Sequence, residues 1–333
     1  MIRTLPAAQG TGQVEDRRPG PKVLRLSLTD RCDLRCRYCL PAGPVPVALP
    51  AGLASDPELL RAVEWLVEHA RVDRLKLTGG EPLLHRDVVA FVRRAAALPG
   101  LREVSMTTNG TRLARHAPAL LDAGLARVNV SLDTLDPRRF AALTRGGDVR
   151  RVLAGIAAAR EAGLAPVKLN AVLRRSGWQD DVPALLDFAA GEGLEIRFIE
   201  LMRTGTERAW AEAEFVPAGE VRALLEREGR LLPLPTPPAA PARRTLARWR
   251  GQPVALGWIT PVSHVFCGAC DRLRMDAAGR LRRCLMDASS LALVELLRAD
   301  GREAALAEVD RYMTAKLPPA AMDTSAPMRG IGG

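Results

Sequence analysis

The chain has 333 residues and a mass of 36.0 kDa, enough at ~150 residues per domain for about two domains or one large barrel with an appendage. Apolar residues make up 47% and charged residues 26%, which excludes wholesale disorder. Lys+Arg 48 against Asp+Glu 38 leaves +10, nearly all arginine, since only Lys22, Lys76, Lys168 and Lys316 are lysines. The arginines stand singly or in pairs and aromatics are only 4%, so no nucleic-acid partner is expected. With no apolar run of ~18 residues and Gly10, Gln13, Glu15 and Asp16 near the start in place of a signal-peptide stretch, no membrane partner is expected either, and the expected location is cytoplasmic.

In chain order, β-branched runs alternate with amphipathic segments. Strands are predicted at Val23–Thr29, Arg74–Thr78, Glu103–Thr108, Arg127–Leu132, Val167–Leu173 and Glu195–Leu201, each followed by a helix or loop. The first helix starts at a capping box, Ser55 with Glu58 three residues on, and carries the stripe Leu59, Leu60, Val63, Leu66 and Val67. Six βα units predict an α/β fold with a parallel sheet, a partial (β/α)6 TIM-like barrel more readily than a closed eight-stranded one; a doubly wound sheet is the alternative. The Pro-rich segment 231–242, LLPLPTPPAAPA, predicts a connector. It divides a barrel over 1–230 from a smaller C-terminal region over 231–333, with helices near 291–300 and 302–315 and a glycine-rich tail ending in Gly332 and Gly333.

All six cysteines fall into two triplets, Cys32, Cys36 and Cys39 in C-x3-C-x2-C and Cys267, Cys270 and Cys284 in C-x2-C-x13-C. Such clustering in a long chain points to metal ligation or redox chemistry, not bridging. Three thiolates can hold a [4Fe–4S] cluster and leave one iron open. Zinc is the alternative, but structural zinc wants four ligands and the first triplet contains no histidine. Other unusual residues gather just past the strand ends, at Thr29-Asp30-Arg31, Thr78-Gly79-Gly80-Glu81-Pro82, Thr107-Thr108-Asn109-Gly110, Ser131-Leu132-Asp133 and Glu200-Leu201-Met202. Each glycine pair or Asn-Gly could serve as a turn alone; together they converge on the face where parallel α/β folds bind ligands.

C-x3-C-x2-C with Tyr38 before its last cysteine, followed by Gly79-Gly80-Glu81-Pro82, resembles the radical S-adenosylmethionine superfamily. The run Thr260–Arg274 with Cys284 narrows this to the GTP 3′,8-cyclase family, and the resemblance extends over nearly the whole chain, through Leu24–Cys32, Val130–Asp136, Lys168-Leu169-Asn170, Arg197–Met202 and Gly332-Gly333. It implies two [4Fe–4S] clusters and S-adenosyl-L-methionine, one cluster on Cys32, Cys36 and Cys39, the other on Cys267, Cys270 and Cys284. Tyr38, Gly80, Ser131 and Met202 would contact S-adenosylmethionine; Arg25, Lys76, Thr107, Lys168, Arg272, Leu273 and Arg274 would contact GTP. Arg25, Arg197, Gly332 and Gly333 would serve catalysis. The implied reaction cleaves S-adenosylmethionine to a 5′-deoxyadenosyl radical, abstracts hydrogen from ribose C3′ of GTP and closes a bond to guanine C8, giving 3′,8-cyclo-7,8-dihydro-GTP, the first step of molybdenum cofactor biosynthesis. A cyclic pyranopterin monophosphate synthase would act next, an electron donor is needed, and a homodimer is compatible.

The physical reading agrees, since a triphosphate needs several cations and Arg272 and Arg274, alternating in an extended segment, would face one side. Five positions depart from the family's pattern: Asp33 and Asp271 stand where Asn is expected, Lys76 where Arg is usual, and Leu40 and Met286 where Met and Phe are familiar. Lys76 keeps the charge but loses the planar fork. Asp271 would oppose a triphosphate unless Arg272 or Arg274 offset it. Competing readings are a twin-cluster radical enzyme acting on a peptide, an electron carrier and an Arg-rich nucleic-acid binder.

Overall fold

The computed structural model describes residues 22–40, 43, 52–202, 207–264, 270–285, 287, 289–299 and 301–314. Its first part alternates β1 (Val23–Ser27), α1 (Asp56–Ala70), β2 (Arg74–Thr78), α2 (Val88–Ala96), β3 (Glu103–Thr108), α3 (Leu113–Asp122) and β4 (Arg127–Ser131). Then come α4 (Pro137–Thr144), α5 (Val149–Glu161), β5 (Val167–Leu173), α6 (Trp178–Gly191) and β6 (Glu195–Glu200). All six predicted strands are present; β1, β4 and β6 end one or two residues early, where the chain leaves the sheet for the loops that carry the motifs. The predicted capping box also forms, with the Ser55 amide donating to Glu58 Oε2 at 2.8 Å, and Leu59, Leu60, Val63 and Leu66 are buried.

Beyond β6 lie α7 (Arg208–Ala213), α8 (Ala218–Glu228), β7 (Leu232–Pro233), β8 (Arg243–Trp249), β9 (Gln252–Ile259), β10 (Arg272–Met275), β11 (Arg280–Arg282), β12 (Leu291–Ala292), α9 (Leu293–Ala299) and α10 (Gly301–Thr314). The predicted connector is non-helical and holds only the short β7. One sheet runs through both halves in the order β12-β11-β10-β1-β2-β3-β4-β5-β6-β9-β8-β7. β9 pairs parallel with β6, and β10 pairs parallel with β1. The six-stranded parallel core is therefore widened on both sides by C-terminal strands, which periodicity in the first two-thirds of the chain could not reveal.

Parallel strands buried on both faces usually read as continuous apolar runs. Here they alternate. Leu24, Leu26, Leu75, Leu77, Met106, Val128, Leu169 and Phe198 belong to the core packed against the helices, while Arg25, Lys76, Ser105, Asn129, Lys168 and Arg197 point to the other face. On a flat sheet Lys76 of β2 and Arg197 of β6 would stand about 19 Å apart, four strand spacings of ~4.8 Å. Arg197 nevertheless helps lower the Lys76 pKa, so the sheet curls and its polar face lines a lumen. No helix among the described residues is long and apolar enough to cross a membrane.

Phe198 on β6 sits beside Trp258 on β9, ring centroids 5.8 Å apart, both fully buried. This pair seals the C-terminal strands to the core. Phe198→Ala is expected to destabilise the fold by about 3–5 kcal/mol, read as a lower denaturant midpoint; an unmoved midpoint would show that β9 is held by other contacts.

Candidate active site

The lumen opens at two mouths. At the mouth formed by the strand C-termini, the loop after β1 carries Cys32, Cys36 and Cys39, none of them disulfide-bonded. The end of α4 grips this loop, with the amides of Arg35 and Arg37 donating to the carbonyls of Thr144 and Leu143, both at 3.0 Å. Arg145 adds guanidinium bonds to the carbonyls of Leu40 at 2.7 Å and Arg35 at 3.1 Å, and pairs with Glu207 at 2.6 Å. The Tyr38 hydroxyl donates to Asp133 Oδ2 at 2.8 Å, while Asp133 Oδ1 accepts from the Val172 amide at 2.7 Å.

The three thiols share one electrostatic neighbourhood. Burial pushes the Cys36 thiol well above its ordinary range, and Asp133, Cys39 and Cys32 push it further; burial likewise raises Cys32 to about 11. Among the described residues no group of three or more His, Cys, Asp or Glu could hold a single metal ion. Three thiols close enough to act on one another, with no histidine among them, fit an iron–sulfur cluster.

The motif after β2 closes against the same loop. Gly80 donates to the Thr29 carbonyl and Glu81 to the Arg31 carbonyl, both at 2.7 Å. A Cβ on Gly80 would lie 2.2 Å from the Arg31 carbonyl oxygen, so the approach requires glycine. Buried Glu81 accepts from Thr108 Oγ1 at 2.6 Å, the Asn109 amide at 2.7 Å and the Leu83 amide at 3.0 Å. Burial outweighs these bonds and lifts its pKa to about 7. Gly80, Ser131 at the end of β4, Tyr38 and Met202 just after β6 all lie at this mouth, each partly buried.

At the opposite mouth Cys270 stands just before β10 and Cys284 just after β11. These strands are antiparallel, with Arg274 beside Arg282, so both cysteines return to the same end. Both pull the Arg274 pKa upward, which places them near its guanidinium. Cys267, Gly332 and Gly333 lie outside the described residues, as does Met286. On the way to this triplet, buried Glu200 accepts from the amides of Ala218 at 3.0 Å, Val262 at 3.1 Å and Ser263 at 2.8 Å, tying the loop after β9 to the end of β6.

Between the mouths, cations dominate. In register, Arg25 stands between Arg274 and Lys76, and Lys168 between Asn129 and Glu195. Glu195 anchors Lys168 at 3.0 Å, Arg197 at 2.8 Å and Arg244 at 3.0 Å, and Glu103 holds Arg127 at 2.6 Å. Burial tends to raise the Glu195 pKa, but Arg197 and Lys168 overcome it and keep the carboxylate charged. Burial lowers Arg25 to about 10 with help from Arg272, and it drives Lys76 and Arg274 well down with help from Arg25. Lys168 is lowered by burial and Arg197. Desolvated cations that repel one another are stabilised by a polyanion entering among them. Gly257 leaves room for Arg197, since a Cβ there would lie 2.7 Å from its Cγ.

The structure thus brings Arg25, Lys76, Thr107, Lys168, Arg197, Arg272 and Arg274 onto the lumen face. Leu273 differs from its neighbours, because its side chain is fully buried in the apolar core on the opposite face of β10 and its main chain is the part that could meet a ligand. The concern over Asp271 also resolves differently, since its carboxylate pairs with Arg74 at 3.1 Å and not with Arg272 or Arg274. Glu81, Asp133, Arg145 and Glu200 received no role from sequence, although Glu81, Asp133 and Glu200 stand inside quoted motifs; that each receives backbone amides, or in Arg145's case grips carbonyls, is visible only in three dimensions.

Residues 26–189 match the Radical SAM superfamily model and residues 194–320 the Molybdenum Cofactor Synthesis C model. The GTP 3′,8-cyclase 1 of Pseudomonas aeruginosa is 46% identical over 275 residues, covering 83% of each chain. That of Moorella thermoacetica is 46% identical over 299 residues, 86% of this chain and 88% of the relative; that of Streptomyces coelicolor is 41% identical over 319 residues, 93% of both. In fold, the chain is similar to Streptococcus suis SuiB bound to precursor peptide SuiA, with a TM-score of 0.59 at 14% identity over 86% of this chain and 66% of that one. Such identity sustained along almost the full length, with both cysteine segments included, means that the chain belongs to the GTP 3′,8-cyclase family.

Proposed function

We propose that this chain is a radical S-adenosylmethionine enzyme that converts GTP to 3′,8-cyclo-7,8-dihydro-GTP, the opening reaction of molybdenum cofactor biosynthesis. The observation that carries the reading is the lumen of mutually repelling Arg and Lys side chains lying between two cysteine-bearing mouths. The division near residue 230 is functional, with the earlier part generating the radical and the later part bringing the second cluster and GTP.

When bound, the cluster on Cys32, Cys36 and Cys39 and S-adenosylmethionine supply the hydrogen-abstracting chemistry. Tyr38, Gly80, Ser131 and Met202 position that cofactor at the strand C-termini. Arg25, Lys76, Lys168, Arg272 and Arg274 grip the triphosphate, with Thr107 beside them, and Arg197 is held ready by Glu195. Cys270 and Cys284, with Cys267, hold the second cluster at the far mouth, and Gly332 and Gly333 serve catalysis from the tail. The protein acts in the cytoplasm, takes electrons from a donor and hands its product to a cyclic pyranopterin monophosphate synthase, as a monomer or homodimer. SuiB, similar in fold, is bound to a precursor peptide, but a row of desolvated cations suits a triphosphate better than a peptide groove.

The decisive assay is anaerobic turnover with S-adenosylmethionine, reductant and GTP: 5′-deoxyadenosine is expected in step with a GTP-derived pterin, and 5′-deoxyadenosine formed without regard to GTP would refute the substrate. Arg272→Ala with Arg274→Ala is expected to keep both clusters yet weaken GTP binding roughly 100-fold or more, from two charge-assisted bonds of about 1.5–3 kcal/mol each; unchanged affinity by calorimetry would sink the triphosphate site. For Lys76 the sign follows from its lowered pKa, which makes it shed its proton at lower pH than an ordinary lysine. GTP affinity is expected to fall from neutral to alkaline pH, and Lys76→Arg to flatten that decline; identical pH profiles would remove Lys76 from the site.

A further inference from the structure

One side-chain cluster at the first mouth lies outside the roles assigned above. It joins the loop after β3 to the loop after β1. The Asn109 side chain has its Nδ2 2.8 Å from Asp33 Oδ1 and 3.8 Å from Cys32 Sγ, while its Oδ1 accepts from the Thr111 amide at 3.0 Å. The other Asp33 oxygen accepts from Thr111 Oγ1 at 2.8 Å and Arg112 Nε at 3.4 Å. The Asn109 amide is itself pinned to Glu81 Oε2 at 2.7 Å.

The polarity of this arrangement follows from donor and acceptor chemistry. A carboxylate only accepts, and a backbone amide only donates. Asp33 therefore demands the NH2 end of Asn109, the Thr111 amide demands its carbonyl end, and the flipped rotamer would place oxygen against oxygen. Cys32 Sγ thus faces a donor. It also accepts from the Leu34 amide at 3.4 Å, so the sulfur receives two N–H groups, one from the main chain and one from a side chain.

We propose that Asn109, locked by Asp33, is a positioning residue for the radical-generating cluster that donates to the Cys32 sulfur and raises the cluster's reduction potential. The inference rests on the cluster assignment made above. A donor aimed at a ligand sulfur stabilises the reduced cluster, which carries one more negative charge, and hydrogen bonds to sulfur are among the determinants of iron–sulfur potentials. The carboxylate at position 33, where the family pattern has Asn, makes the lock one-sided, because an amide there could present either end to Asn109.

In the holoenzyme, Asn109→Ala is expected to shift the midpoint of the first cluster to more negative potential in an EPR-monitored redox titration, with the second cluster unmoved. The first cluster is recognised as the one whose signal changes when S-adenosylmethionine is added. An unmoved first midpoint at full iron content would overturn the proposal. If the variant loses iron, the unaltered protein decides: with 15N-asparagine incorporated, pulsed EPR of the reduced first cluster is expected to show an asparagine nitrogen coupling that shrinks in Asp33→Ala, and its absence overturns the proposal. Two clusters whose signals both ignore S-adenosylmethionine would overturn the cluster assignment and this inference together.

Discussion

A desolvated row of positive charge inside a parallel sheet is the constraint around which this molecule is arranged. Arg25, Lys76, Lys168, Arg197, Arg272 and Arg274 occupy alternate strand positions, so the pleat that buries Leu24, Leu75, Leu169 and Phe198 on one face must present the cations on the other. A flat sheet would leave that face in water. Curling concentrates it, so that burial and neighbouring arginines together lower the pKa of Arg25, Lys76 and Arg274. Glu195 holds Lys168 and Arg197 in place without neutralising the row, and Glu103 does the same for the neighbouring Arg127, which leaves a face complementary to a polyanion.

Buried carboxylates and one arginine then build the mouths from loops. Glu81 and Glu200 accept backbone amides from loops distant in sequence, and Asp133 accepts one from strand β5, so a single side chain fixes a motif-bearing segment to a remote part of the chain. Arg145 does the converse by donating to loop carbonyls on either side of Cys36 and Cys39. These groups supply partners that irregular backbone lacks when it leaves the sheet. The mouth at the strand C-termini thereby gains rigidity from the ends of β2, β4, β5 and β6.

The two mouths also explain the division of labour along the chain. Cys32 follows a strand and Cys270 precedes one parallel to it, so the first triplet and the pair Cys270 and Cys284 fall at opposite ends of the lumen. Register then sets Arg274 beside Arg25, joining residues 249 positions apart into one row, as follows from their numbers. A substrate bound along that row would meet the radical-generating mouth at one end and the second triplet at the other.

By itself, the amino-acid sequence determined the βα alternation, the capping box at Ser55, the two cysteine triplets and the cation-bearing strands, because period-2 patterning, cap chemistry and ligand spacing are local properties. Tertiary structure alone decided that β9 and β10 widen the sheet on either side, that Arg74 answers Asp271, and that Asp33 orients Asn109 toward Cys32. The physical reason is common to all three. Strand partnership and the pairing of buried charges depend on which distant segments meet, and no local periodicity records that meeting.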